Sequence, residues 1–186
     1  MRLILASASP RRAELLRWAG YTFEVVVADV DESIRAGETP AAYVRRLAAD
    51  KSAAVRIPDA LVLGADTTVV IEGDILGKPR DDEDGRAMLK RLSGRAHQVL
   101  TGVSLRQGAH EVGRVEVTSV VFRELTDEDI RWYAESGEGR DKAGGYAIQG
   151  LASRFVPSIS GSYSNVVGLP LACVDELLRS LLASRL

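Results

Sequence analysis

The stretch LVLGADTTVV, Leu61–Val70, constrains this chain most. Leu61, Val62 and Leu63 read as a strand that ends at Gly64-Ala65, where the chain presents Asp66 and Thr67. Val69-Val70-Ile71 resumes the strand pattern and breaks at a hairpin-type turn, Glu72-Gly73-Asp74. An acidic side chain at the seam of two buried strands is costly unless something compensates it. The compensation is a cation, a metal or a dense set of hydrogen-bond donors. The plain alternative is a strand-end carboxylate that caps a loop.

At 186 residues the chain can bury one substantial core, and residues 1–186 are expected to form a single domain. A net charge of -2 gives no bulk electrostatic reason to expect nucleic acid or an anionic membrane as partner. The opening MRLILASASPRR has too short an apolar core for a secretory signal, and no run approaches transmembrane length. A cytoplasmic location is therefore expected. The lone Cys173 sits in an apolar carboxy-terminal helix and reads as a small core residue. Of the 24 basic residues only Lys51, Lys78, Lys90 and Lys142 are lysines, so each one raises the question of why a compact point charge stands there.

In chain order, Arg2–Ala6 is a short apolar strand. It passes through Ser7-Ala8-Ser9 into a helix from Pro10 to Trp18, with Ser9 as N-cap and Gly20 at the exit. A strand that runs through small residues into a helix start is an anion cradle, to which Ser7 could add a hydroxyl and Arg11 and Arg12 bidentate charge. The alternative is a capped helix whose arginines lie on a solvated face. Thr22–Ala28 reads as a second strand alternating around Phe23, Val25 and Val27, followed by the acidic Asp29-Val30-Asp31-Glu32. Acidic clusters of this kind are solvated loops or supply hard oxygen ligands. A helix from Thr39-Pro40 to about Val55 puts Val44, Leu47, Ala48, Lys51 and Val55 on one face. Lys51 then lies on the buried stripe and either snorkels or points into a polar cavity.

Ile75–Pro79 is a strand end punctuated around Lys78, and Asp82–Ser93 a helix with Ala87, Leu89 and Leu92 as apolar contacts. His97–Arg106 and Val112–Arg123 read as an antiparallel pair, and Thr126–Asp129 as a capping box for a helix over Glu128–Glu135. His97 and His110 read as surface or hydrogen-bonded residues. Ser136–Gly168 is loop-rich and includes DKAGGYAIQG; such a stretch within a domain is more often functional than idle. Leu169-Pro170 opens an apolar helix to the carboxy terminus. The expected fold is a mixed α/β sheet flanked by helices. Lysines with carboxylates suit chemistry on a polyanion, and no GxxxxGK[ST], spaced GxGxxG, HExxH or serine–histidine arrangement offers another chemistry.

Taken together, LASASPRRAELL, Asp31-Glu32, the Lys51 helix, GADTTVV, GKP at Gly77–Pro79, SGxxHQVxTG across Ser93–Gly102, DKAGGYAIQG and NVVGLPL resemble the Maf family of nucleotide pyrophosphatases, in order from about Leu3 to about Leu178. The resemblance implies an elongated α/β fold like that of inosine triphosphate pyrophosphatases, with a cleft between two lobes. It implies hydrolysis of a nucleoside triphosphate to monophosphate and pyrophosphate with a divalent cation, Mg2+ or Mn2+. Asp66 matches the family's proton acceptor, and Glu32, Lys51 and Lys78 its charged pocket, with Glu32 and Asp66 as the metal-side carboxylates. Ser7 and Arg12 match the phosphate-side loop. Arg11, Thr67 and Gln149 stand at the positions that mark base preference, as in the branch resembling dTTP/UTP pyrophosphatases; a purine pyrophosphatase and a nucleotide-binding regulator of cell division are the competing expectations. Relatives are often homodimers.

Overall fold

The computed structural model describes residues 2–183. Its elements begin with β1 (Arg2–Leu5), α1 (Pro10–Trp18), β2 (Glu24–Val25) and α2 (Pro40–Ala54). The middle of the chain forms β3 (Ala60–Ile71), β4 (Asp74–Leu76), α3 (Asp82–Leu92), β5 (Ala96–Gln107) and β6 (His110–Val121). It closes with α4 (Asp127–Ser136), two 3-10 turns at Ala143–Gly145 and Leu151–Phe155, β7 (Ser158–Ser160), α5 (Tyr163–Val167) and α6 (Leu171–Ala183). Among the described residues the strands form one seven-stranded sheet in the order β2-β1-β3-β5-β6-β7, with β4 paired to β3. β1 runs parallel to β2 and β3, while β4 lies antiparallel to β3 and β7 antiparallel to β6. The fold is thus the mixed α/β sheet expected, and the chain divides into two compact units. One comprises residues 1–67, 101–116 and 168–186, the other 68–100 and 117–167.

In the first unit the continuous apolar runs of β1 and β3 bury both faces. Leu3, Ile4, Leu5, Leu61, Val62 and Leu63 are all nearly inaccessible, as expected of strands inside a parallel arrangement. The glycine at position 64 does not end β3, which is one unbroken strand of 12 residues. A Cβ at Gly64 would overlap the Ala48 carbonyl oxygen and lie 2.7 Å from the Ser52 amide nitrogen. The glycine is there because α2 crosses the strand backbone to backbone. Gly102 does the same in β5, where a Cβ would overlap Val44 O and lie 2.8 Å from the Arg45 amide nitrogen. A periodicity reading takes such a residue for a break, and only the packing partner identifies it as a contact.

The second strand is shorter than the sequence pattern suggests, and its faces are reversed. Val25 and Val27 are 47% and 64% exposed, while Val26 and Ala28 pack with Ile57 against the cluster Ile4, Ala6, Val55, Ala60 and Val62. β2 is an edge strand with only Ile4↔Glu24 and Leu5↔Val25 as register pairs, so the buried face is set by β1 and not by its own alternation.

The second unit is built around rings. Phe122 stands edge-on to Tyr146 and His97 at 4.8 and 5.0 Å between centroids, and Tyr133 to Phe155 at 5.5 Å. α3 buries Met88, Leu89 and Leu92, with Ala87 exposed in place of the contact expected there. α4 begins in the expected capping box. Thr126 Oγ1 accepts from the Asp129 amide at 3.1 Å, and Asp129 Oδ2 accepts from the Thr126 amide at 3.0 Å. The loop-rich stretch after it resolves into the two 3-10 turns, β7 and α5. Cys173 is buried in α6 without a disulfide partner; the last three residues expected to extend that helix lie outside the described residues.

Candidate active site

Lys51 is held by two carboxylates. Its Nζ donates to Asp66 Oδ1 at 2.7 Å and forms an ion pair with Glu32 Oε1 at 2.7 Å. The environments of the two acids differ: Asp66 is 8% exposed, beside a Lys51 that is 7% exposed, whereas the Glu32 side chain is 53% exposed. The close crossing at Gly64 explains how a lysine of α2 reaches an aspartate of β3. With no side chain between the two backbones, Lys51 passes alongside the strand two residues beyond the crossing. Glu32 enters from the loop after β2, and its backbone carbonyl accepts from Tyr43 Oη at 3.0 Å. Burial, and then the charges of Asp66 and Glu32, push the Tyr43 hydroxyl up to about 12, so the phenol stays a donor at neutral pH.

A second cluster sits in the same unit. Arg12 is buried in α1 and donates through Nε to Gly168 O at 2.8 Å, through Nη1 to Ser7 Oγ at 3.1 Å and through Nη2 to Thr67 Oγ1 at 3.1 Å. Thr67 Oγ1 in turn donates to Gly168 O at 3.2 Å and lies 2.9 Å from Thr101 Oγ1. Burial lowers the Arg12 pKa, while Asp66 and Glu32 raise it and Arg11 lowers it further; the guanidinium is an internal cation close to the carboxylates. Arg12 is therefore not on a solvated face. Half-buried Arg11 precedes it. Ser9, the expected cap, makes no side-chain cap bond; the Ser9 amide donates to Ser7 Oγ at 3.2 Å, so Ser7 organises the loop.

Lys78 and Gln149 belong to the other unit, and both are exposed. The segments carrying them are linked: the Gly144 amide donates to Gly77 O at 3.0 Å, tying the start of the DKAGGYAIQG loop to the residue before Lys78. His97 is 3% exposed and shares a 2.8 Å hydrogen bond between Nε2 and Tyr146 Oη. Sequence reasoning gave no partners to Thr101, Gly168 or Tyr43. The first two stand in motifs that carry the family resemblance, but no spacing rule joins position 67 to 101 or 168.

The donor set limits what metal could be held. Among the described residues no group of three or more His, Cys, Asp or Glu side chains converges, so an all-protein cage is not available. Glu32 and Asp66 on one lysine fit a hard cation that uses one or two carboxylates and takes its other oxygens from water and phosphate, the Mg2+ pattern. Among the described residues, no helix is long and apolar enough to cross a membrane.

An α/β chain with a buried lysine–carboxylate centre, an internal arginine and exposed polar residues on anchored loops is equipped to handle a charged small molecule. The Maf-like protein family matches residues 2–181, and this chain belongs to it. The dTTP/UTP pyrophosphatase of Syntrophus aciditrophicus is 52% identical over 184 residues, 97% of this chain and 90% of that protein. The dTTP/UTP pyrophosphatase of Symbiobacterium thermophilum is 56% identical over 179 residues, 95% and 92% of the two chains. Vibrio cholerae has one 52% identical over 182 residues, 95% and 96%. Among solved structures, the Staphylococcus aureus Ham1 protein matches with a TM-score of 0.48 and 17% identity over 66% of this chain and 72% of its own.

Proposed function

We propose that this protein hydrolyses dTTP, UTP and modified pyrimidine analogues to the nucleoside monophosphate and pyrophosphate, a house-cleaning activity on the cytoplasmic nucleotide pool. The observation that carries the reading is the Lys51 ammonium held at 2.7 Å by a buried Asp66 and an exposed Glu32. The reading is supported by the dTTP/UTP pyrophosphatases that are 52% and 56% identical to this chain.

A triphosphate carries roughly four negative charges at neutral pH, and cations in a partly dry site offset them far better than water-exposed ones. Lys51 and Lys78 bind the phosphate oxygens as point charges. Arg12 braces the Ser7 loop and Thr67 from within, leaving the Ser7–Pro10 turn and the start of α1 to face the phosphates. As substrate draws Lys51 toward phosphate, Asp66 is released from that ion pair and becomes a proton acceptor beside a buried cation. A water then attacks the α-phosphorus, its proton passes to Asp66, and the bond from that phosphorus to the bridging oxygen breaks. Pyrophosphate leaves with the electron pair. Glu32 and Asp66 would hold Mg2+ or Mn2+, which when bound neutralises phosphate charge and acidifies water. Gln149, with a donor and an acceptor on one amide, reads the pyrimidine edge, and Thr67 and Arg11 are the further positions that bear on base preference. The enzyme acts alone or as a homodimer.

Product analysis of the purified protein with magnesium across dTTP, UTP, CTP, dGTP, ITP and 7-methyl-GTP tests this. Monophosphate and pyrophosphate form fastest from dTTP or UTP. Faster turnover of a purine overturns the specificity, and tight binding without turnover of any of them overturns the activity in favour of a nucleotide-binding regulator.

A further inference from the structure

Gln149 is exposed, yet the backbone on either side of it is not free. The Ala147 amide donates to Tyr133 Oη at 3.1 Å, and that hydroxyl donates to Glu138 Oε2 at 2.9 Å. The other carboxylate oxygen, Glu138 Oε1, accepts from the Leu151 amide at 3.0 Å. One hydroxyl–carboxylate pair thus ties down the amide two residues before Gln149 and the amide two residues after it. The fit is close: a Cβ at Gly150 would overlap Glu138 Oε1. The bridge itself has a firm base, because Tyr133 is fully buried at the end of α4 with its ring against Phe155. Burial, and then the hydrogen bond to Glu138, raise the Tyr133 pKa, so the hydroxyl remains a donor.

Without the bridge, the amides of residues 147 and 151 would turn to water, leaving the buried Ile148 and the 3.2 Å bond from the Gly150 amide to Ala147 O to hold the segment, and the backbone at Gln149 would gain freedom. Each conformation lost on binding subtracts from affinity, and a side chain that must order itself discriminates poorly between similar ligands. A reader of a base edge needs its donor and acceptor fixed, and among the described residues no other side chain hydrogen-bonds the backbone of residues 147–151. We propose that Glu138 and Tyr133 are positioning residues for base selection, holding the Ala147–Leu151 segment in the one conformation that presents the Gln149 amide to a pyrimidine. The inference rests on the reading of Gln149 as the base contact.

The test compares kcat and KM for dTTP and dGTP in the wild-type enzyme, Gln149→Ala, Glu138→Ala, the double variant and Tyr133→Phe. Glu138→Ala is expected to lower the dTTP/dGTP ratio of kcat/KM about tenfold, mainly through the KM for dTTP, as Gln149→Ala does. The double variant loses no more than about twofold beyond either single one. Tyr133→Phe keeps the buried ring and moves the ratio in the same direction by less, so it carries the test if Glu138→Ala fails to fold. A Glu138→Ala or Tyr133→Phe enzyme that slows on both nucleotides equally, with the ratio unchanged, overturns the proposal while leaving Gln149 as the base contact. An unchanged ratio in Gln149→Ala overturns the reading of Gln149 and this inference with it.

Discussion

Lys51 and Asp66 meet out of solvent in one unit, whereas Lys78 and Gln149 stand exposed in the other. The first pair is fixed by backbone: α2 crosses β3 at Gly64 and β5 at Gly102 with no side chain between. The segments that carry the exposed residues are held by loop amides, which donate to Gly77 O on one side and to Tyr133 and Glu138 on the other. Chemistry that depends on a displaced proton needs a dry charge pair held in place until substrate arrives, and its supports cannot be altered without cost to the fold. Recognition of a base tolerates solvent and needs only a held loop. Damage to the backbone crossing that supports the first region should therefore couple catalysis to stability, and damage to the second region should separate them.

The largest expected effect breaks the chemistry alone. Asp66→Asn keeps the shape and leaves Lys51 paired with Glu32, but turnover of dTTP falls roughly 10²- to 10⁴-fold in steady-state assays; near-full turnover would remove Asp66 from its role. Gly64→Ala breaks chemistry and fold together. The overlap is with backbone, which cannot swing aside, so a loss of about 3 kcal/mol or more and a Tm lower by roughly 10 °C are expected in thermal denaturation. Unchanged stability would mean that α2 does not depend on this crossing.

The sequence carried much of this. The extents of α1 and α2, the capping box at Thr126, the buried stripe bearing Lys51 and the need of Asp66 for some compensating partner were all legible from residue pattern and from the cost of a buried charge. The crossing at Gly64 was not, because a glycine in a strand signals a break and a close approach equally. The inward face of β2 was hidden because an edge strand inherits its face from its neighbour. The Thr67–Thr101–Gly168 cluster joins positions far apart in the chain: the pairing of β3 with β5 brings the two threonines together, and Gly168 meets them from between α5 and α6.

Acid titration sharpens the contrast from the second unit. Burial lowers the His97 pKa from the ordinary 6.5 to about 4. Between those values the unfolded chain takes up a proton that the folded one refuses, so stability is full above about pH 6.5 and declines as pH falls toward 4. The decline attributable to His97 is about 3 kcal/mol. Denaturation of wild type and His97→Gln from pH 7 to pH 4.5 should give a shallower decline in the variant; parallel curves would assign the acid sensitivity to other groups. Chelation by EDTA should stop turnover yet leave Tm unchanged, because two carboxylates already paired with Lys51 do not wait on a metal to fold. A fall in Tm would point to a structural ion. The smallest effect is expected from Thr101→Val, which removes one hydroxyl from Thr67 and should cost about 1 kcal/mol with a few-fold loss in kcat/KM.

Water attack at the α-phosphorus is tested most directly by hydrolysis of dTTP in ¹⁸O-enriched water with mass analysis of both products. Label confined to thymidine monophosphate, with unlabelled pyrophosphate, is the predicted result. Label in the pyrophosphate, or release of inorganic phosphate and a diphosphate, would contradict it.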